Sequence, residues 1–305
     1  MAGEREYPGN RGEFHQMFAA DRHCLEYLAR LRWPNGYQCV YCGASGAWLN
    51  SRGSMHCASC DRQFSVTSGT LLHRLRFPLK TWFEVAWNAC EQKNGLSALG
   101  LQRAIGFGSY HTAWEALHRI RQAMVLPGRS KLNGEVEVDE TFIGGVKPGK
   151  RGRGAAGKVL VFVAVEVRGS AIGRARLQVI PDATAATLLP IIQDLVETGS
   201  DVVTDGLSSY NGLGSICYNH YVSKPTATVG NNLLPKAHRV ISLLKRWLLG
   251  THQGAVAHDR LQPYLDEFVF RFNRRTSKSR GLLFRRLLEQ AVLHAPVSKA
   301  ELLVP

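Results

Sequence analysis

The chain has 305 residues, 45% hydrophobic and 20% charged, which excludes intrinsic disorder and leaves room for two or three domains with a real core. Lys and Arg number 38 against 24 Asp and Glu, a formal charge of +14 that suits a polyanionic partner such as nucleic acid. The longest apolar stretch, residues 159–165, stops at Glu166, short of the ~18 residues a spanning helix needs, so no membrane segment is expected.

The first twenty residues carry three acids and no apolar run, which argues against a secretory signal and makes a reducing cytoplasm the expected location. Seven cysteines follow, and four of them form two C-x2-C pairs, Cys39/Cys42 and Cys57/Cys60, fourteen residues apart. Two residues between cysteines let both thiolates of one turn face the same ion, and two such knuckles complete a tetrahedral shell. The spacing therefore predicts a structural Zn2+ ribbon. Gly43 and Asp61 supply turn formers after each pair, with a hairpin around residues 47–56 and a closing strand at 63–66. A closed four-sulfur shell leaves no position for water, so no chemistry is expected there. Cys24, Cys90 and Cys217 stand alone among apolar neighbours and are expected in the core.

Residues 78–124 turn helical, with Trp82, Val85, Ala86 and Ala89 at three- and four-residue spacing. A second helix ends at the turn Gly106-Phe107-Gly108, and Ser109 is placed to cap a third. Two helices joined by a short Gly-containing turn describe a helix-turn-helix. In that reading Tyr110, His111 and Thr112 face base edges while Arg119 and Arg121 reach phosphates; a helical hairpin that only packs is the alternative.

Residues 135–143 alternate as a half-buried strand, Val136 and Val138 on one face and Glu137, Asp139 and Thr141 on the other. Acids gathered on one face are costly unless solvated or bound to a cation. Residues 147–158 hold five Lys and Arg and no acid. Two more strands (159–167 and 171–180), a helix (183–197) and a short strand (201–205) follow, and Asp205 falls at the carboxyl end of the last, where α/β sheets carry functional groups. Residues 268–288 contain Arg271, Arg274, Arg275, Lys278, Arg280, Arg285 and Arg286 without an acid, interleaved with Phe270, Phe272 and Phe284. The phenylalanines are expected to anchor a helix whose arginines track a duplex backbone, with steep salt dependence.

A zinc ribbon, a helical segment, VEVDETFIGG, VVTDGLSSYNGL, SLLKRWLLGTHQG and YLDEFVFRFNRR, in that order over residues 27–286, resemble the insertion-sequence transposases with an N-terminal zinc ribbon and a DDE-type, RNase H-like domain of the ISXO type. The resemblance implies an α/β fold, an RNase H-like mixed sheet flanked by helices. It divides the chain into a ribbon segment (1–75), a helix-turn-helix-like segment (76–130), a catalytic domain (131–290) and a tail (291–305). It puts the first and fourth strands side by side, so that Asp139 and Asp205 share Mg2+ or Mn2+ and a two-metal mechanism cleaves and transfers DNA strands. The third position departs from the pattern. Seven residues before Lys245, where relatives carry glutamate, stands His238; other relatives use asparagine nearby, and here Asn231 and Asn232 lie upstream while the SLLK run has Leu243. Histidine can ligate a divalent ion or act as a base, though Mg2+ prefers oxygen, and Lys245 would hold a phosphate. The implied partners are double-stranded DNA, at the element's terminal inverted repeats and at the target, and further copies of the chain in a homodimer or larger synaptic complex. The alternatives are a catalytically inactive, transposase-derived DNA-binding protein and a junction-selective nuclease.

Overall fold

Ionic and turn-forming residues at the chain's start punctuate short helices. The computed structural model describes residues 5–92, 94–144, 158–225, 232–254 and 256–303, and the chain divides into two units, residues 1–127 with 277–305, and residues 128–276. In the first unit, α1 (Arg11–Met17) is capped by the Asn10 side chain, which accepts the Glu13 N–H at 3.0 Å, and α2 (Asp21–Arg32) follows. Strands β1 (Ala47–Leu49), β2 (Ser54–Cys57) and β3 (Gln63–Ser65) make an antiparallel sheet in the order β1-β2-β3. Gly43 (φ +75°) and Asp61 (φ +60°) take the left-handed conformation that closes each knuckle.

Helices α3 (Leu79–Glu91), α4 (Ala98–Ile105) and α5 (Tyr110–Gln122) come next. Gly106 ends α4 at φ +80°, and the Ser109 hydroxyl caps α5 by accepting the Thr112 N–H at 3.1 Å. The two-helix arrangement expected from the Gly-containing turn is therefore present.

The second unit is a mixed sheet flanked by helices. Its elements are β4 (Glu135–Ile143), β5 (Val159–Arg168), β6 (Ala171–Ile180), α6 (Ala185–Leu195), β7 (Asp201–Thr204), β8 (Asn219–Val222), α7 (Pro235–His252) and α8 (Leu261–Phe272). The strand order is β6-β5-β4-β7-β8: β4, β5 and β6 are antiparallel neighbours, and β7 and β8 continue parallel to β4. This is the RNase H-like sheet that the resemblance implies, with a polar edge strand, β8, whose sequence NHYV carries no apolar alternation to announce it.

Both sheet faces are covered, which explains the unbroken apolar run of β5. Val136, Val138 and Phe162 pack with Leu188 and Ile192 of α6. Val161, Val163 and Val165 pack with Val240, Ile241 and Leu244 of α7 and Leu265 of α8. The strand read as half-buried is thus covered on both sides, and Glu137 (5% exposed) and Thr141 (7%) are buried rather than solvated.

The chain then returns to the first unit through α9 (Arg280–Leu293) and α10 (Lys299–Leu303). Phe284 of α9 sits in an aromatic core with Phe14, Phe18, Phe83 and Trp87, its ring centroid 5.6–5.7 Å from each. Cys24 and Cys90 are buried as expected, but Cys217 is exposed, at the left-handed end of a short 3-10 turn. No helix among the described residues is long and apolar enough to cross a membrane.

Candidate functional site

The ribbon cysteines converge. Cys39 Sγ lies 3.6 Å from Cys60 Sγ, and Cys42 Sγ 3.6 Å from Cys57 Sγ, with all four sulfurs within 4.8 Å of one another. Tetrahedral zinc with Zn–S bonds near 2.3 Å requires sulfurs about 3.8 Å apart, so the donor set fits Zn2+. Burial raises the Cys39 thiol, but the backbone N–H groups of Tyr41 and Cys42 and the Cys60 and Cys42 thiols outweigh it and bring its pKa down to about 6, while burial and the neighbouring thiols hold Cys60 up, at about 12.

The acidic site depends on sheet register. Glu135 of β4 lies opposite Asp201 of β7, and Glu137 opposite Val203; Asp205 follows the last residue of β7, Thr204, and its charge reaches Asp139. Asp205 is exposed and turns its Oδ1 to the Leu207 N–H at 3.0 Å. The buried Thr204 hydroxyl accepts the Gly206 N–H at 3.2 Å and meets His220 Nε2 at 2.9 Å, fixing the turn on which Asp205 sits. Asp139 is mostly covered, and its Oδ1 accepts the Glu140 N–H at 2.8 Å. Burial raises the Asp139 carboxyl above the usual range and the Asp205 charge adds to this, while the Glu140 N–H, His238 and Lys245 oppose it. A buried carboxylate beside a second negative charge is favoured by a nearby cation.

Helix α7 brings His238 to this pair. Its Nε2 stands 3.3 Å from Asp139 Oδ2, and its Nδ1 lies 2.5 Å from Asn232 Oδ1. An amide oxygen only accepts, so Nδ1 donates to Asn232, and Nε2 faces Asp139 as a donor when the ring is protonated and as a ligand atom when it is not. Asp139 and His238 are thus close enough to share a cation, while Asp205 reaches Asp139 through its charge. The fit is looser than in the ribbon: among the described residues, the four cysteines form the only group of three or more such ligand atoms within 4.8 Å of one another.

Lys245, two turns further along α7, also feels Asp139. Burial lowers its pKa, Lys158 adds to this, and Asp139 opposes. Lys245, Lys158, Phe142, Leu248 and Leu249 line a cleft of about 370 Å3. Asn231 and the basic residues at 147–157 lie outside the described residues.

Three contacts around the site escaped sequence reasoning. The buried Tyr210 hydroxyl donates to the Glu140 carboxylate, seventy residues away in the chain. Glu140 points to the α6 side of β4, so this bond ties the segment after Asp205 to the strand that carries Asp139. Glu137 accepts the Ala237 N–H at 2.8 Å, and Asn232 orients His238. Each joins residues far apart or on a loop, where no periodicity signals a partner.

The basic regions need correction. Arg271 donates to the buried Glu267 at 2.7 Å, Arg285 to Glu289 at 2.8 Å and to Glu6, and Arg286 to Glu289 at 3.0 Å. Arg274 and Arg275 lie 4.0 and 4.1 Å over the rings of Phe270 and Phe272. Acids just outside residues 268–288 thus neutralise three of the arginines that sequence reading left unpaired. Phe270, Phe272 and Phe284 are buried anchors as expected. On α5, Tyr110 is 54% exposed and His111 pairs with Glu115 at 3.2 Å. Thr112 bonds the Ser109 hydroxyl, and Arg119 donates to the Leu71 carbonyl at 3.2 Å. Arg121 is only 2% exposed and faces the core rather than a phosphate.

Two family models and one relative match this chain. The family model for the ISXO2-like transposase domain matches residues 131–273, and that for the transposase zinc-ribbon domain matches residues 19–63. A protein of Halobacterium salinarum, described as an uncharacterized protein in transposable element ISH50, is 28% identical over 281 residues, covering 83% of this chain and 91% of its own length. A transposase zinc ribbon over the two cysteine pairs, followed by an ISXO2-like transposase domain over Asp139 and Asp205, identifies these two regions as domains of insertion-sequence transposases.

Proposed function

We propose that the chain catalyses metal-dependent DNA strand cleavage and strand transfer of an insertion sequence, with Asp139, Asp205 and His238 holding Mg2+ or Mn2+ and Lys245 holding a phosphate. The observation that carries this reading is His238 Nε2 of α7 standing 3.3 Å from Asp139 Oδ2 on a strand paired in parallel with β7, whose end carries Asp205. Bound at these groups, divalent ions supply Lewis acidity for an in-line displacement at phosphorus.

The protein's own residues supply position and charge. The Asn232 amide oxygen orients the His238 ring through Nδ1, leaving Nε2 directed at Asp139. Lys245 carries its positive charge at the mouth of the adjacent cleft, where a DNA phosphate next to the scissile one would lie. With water as nucleophile, a new P–O bond forms, the P–O3′ bond breaks, and a 3′-hydroxyl and a 5′-phosphate result. With that 3′-hydroxyl as nucleophile, its oxygen bonds to a target phosphorus, its proton is released, and the target's 3′ oxygen leaves.

The ribbon and the α4–α5 pair are read as end-recognition elements, with Tyr110 and His111 at the exposed start of α5 toward base edges. The ribbon, helix-turn-helix and catalytic parts are read as the functional domains, acting in a homodimer or larger synaptic assembly. The test is incubation of the purified chain with DNA bearing the element's ends, with and without Mn2+. Metal-dependent nicking at the ends and joining to a second duplex supports the reading. A shift of the same DNA without nicking shows a binding protein instead, and cutting of branched junctions irrespective of end sequence shows a nuclease.

A further inference from the structure

The amino end of α7 has no cap of its own. Leu234 occupies the N-cap position with no side-chain acceptor, and Pro235 opens the helix, so the N–H groups of Lys236 and Ala237 need acceptors from elsewhere. Glu137 of β4 provides them: its Oε2 accepts the Ala237 N–H at 2.8 Å, across one hundred residues of chain, and it also bonds the Lys236 backbone. The carboxylate is 5% exposed and lies at the positive end of the helix.

The consequence is geometric. Apart from the Asp139–His238 contact and an exposed Lys236 Nζ bond to Ser170 O at 2.6 Å, α7 packs on the sheet through apolar side chains, and apolar packing is non-directional. A slip of one residue along α7 would move His238 by about 1.5 Å and turn it by about 100°. Glu137 and Asp139 share a strand face two residues apart, and Ala237 and His238 are consecutive, so the Glu137–Ala237 bond and the Asp139–His238 contact set one another's spacing. A serine at the N-cap would satisfy the helix but would not fix it to the strand.

We infer that Glu137 is a positioning residue that docks the amino end of α7 on β4 and thereby places His238 against Asp139. This rests on the proposed roles of Asp139 and His238. Glu137 itself is no metal ligand in this arrangement, because its oxygen is engaged by the helix.

The test is single-turnover cleavage of end DNA by the full chain, titrated with Mn2+, for wild type, E137A, E137Q, H238A and the double variant E137A/H238A. For E137A the half-saturating Mn2+ concentration is expected to rise roughly 10–100-fold, the range for loss of an outer-shell partner, and for H238A, which removes a ligand, by at least as much. The double variant is expected to be no worse than the more severe single one, since Glu137 acts through His238. E137Q, whose amide oxygen still accepts the N–H, is expected to restore most of the cleavage. Should thermal melting show E137A to be unfolded, A237P removes the donor instead, at a first-turn position where proline is tolerated, and is expected to reproduce the Mn2+ shift. Wild-type Mn2+ dependence in a folded E137A or A237P, or losses that multiply in the double variant, would overturn the inference. Absence of cleavage by the wild type would instead remove the functional reading beneath it.

Discussion

The ribbon draws its four sulfurs from residues 39–60, whereas the proposed acidic site would draw Asp139, Asp205 and His238 from a strand, a post-strand turn and a helix spread over one hundred residues. The ribbon is local and complete: knuckle turns place the sulfurs, and its sheet only joins the knuckles. The acidic site has no local geometry of its own. Sheet register, a helix docked by Glu137 and a tyrosine bonded to Glu140 hold its parts in place. Soft, closed sulfur coordination suits a structural ion, and a partly open set of oxygen and nitrogen donors suits a reacting one. The two sites should therefore fail differently when altered.

The largest effect is expected at the carboxylates. Asp139→Asn or Asp205→Asn should lower strand cleavage by at least about a thousandfold, the consequence of losing several kcal/mol of metal-borne stabilisation. End binding, read by gel shift, should stay near the wild-type level. Cys57→Ser should do the reverse. Zinc supplies on the order of 10 kcal/mol to small domains of this kind, so metal analysis should find the ion gone, limited proteolysis should cut within residues 39–60, and end binding should weaken. His238→Ala should lie between these extremes, losing about 10–100-fold in cleavage. His238→Glu, which restores an oxygen donor, should shift the preference from Mn2+ toward Mg2+.

How legible each site was follows from the same contrast. The C-x2-C pairs, Gly43 and Asp61 announce the ribbon within one window of sequence, and the Ser109 cap and Gly106 turn announce the helix pair just as locally. Asp139 and Asp205 were legible by residue type, one on an alternating strand and one at a strand's end, but only the sheet order makes them neighbours. Glu137 read as part of an acidic face because period two fixes the side a residue occupies and says nothing of its partner. The arginine-rich stretch misled for a related reason: Glu267 and Glu289 lie one residue outside it, within one helical turn of the arginines they neutralise. Cys217 resembled a core residue by its neighbours, yet sits exposed in a turn.

Smaller effects sharpen the contrast. Arg174 bonds Glu166 at the buried edge of the second unit, at 2.5 Å, and holds it down to a pKa of about 2 against burial, which raises it. A folded-state pKa below the ordinary 4.5 contributes stability that is complete above about pH 4.5 and disappears as pH falls toward about 2. Acid unfolding of Glu166→Gln, followed over that window, should lack this component. The smallest change is expected for Arg286→Ala, whose exposed pairing with Glu289 contributes little to stability. Its end-DNA affinity should change less than about twofold, whereas Lys245→Ala should slow cleavage more than it weakens binding.

The central claim, that Asp139 and Asp205 hold the reacting metal, is tested most directly by iron-directed backbone cleavage. Fe2+ with ascorbate is added to the zinc-loaded chain, and the fragments are mapped by mass spectrometry. The account predicts cuts clustered beside residues 139, 205 and 238, suppressed by excess Mg2+ and lost in Asp205→Asn. Cuts elsewhere in the second unit, or the same cuts undiminished in Asp205→Asn, would contradict it.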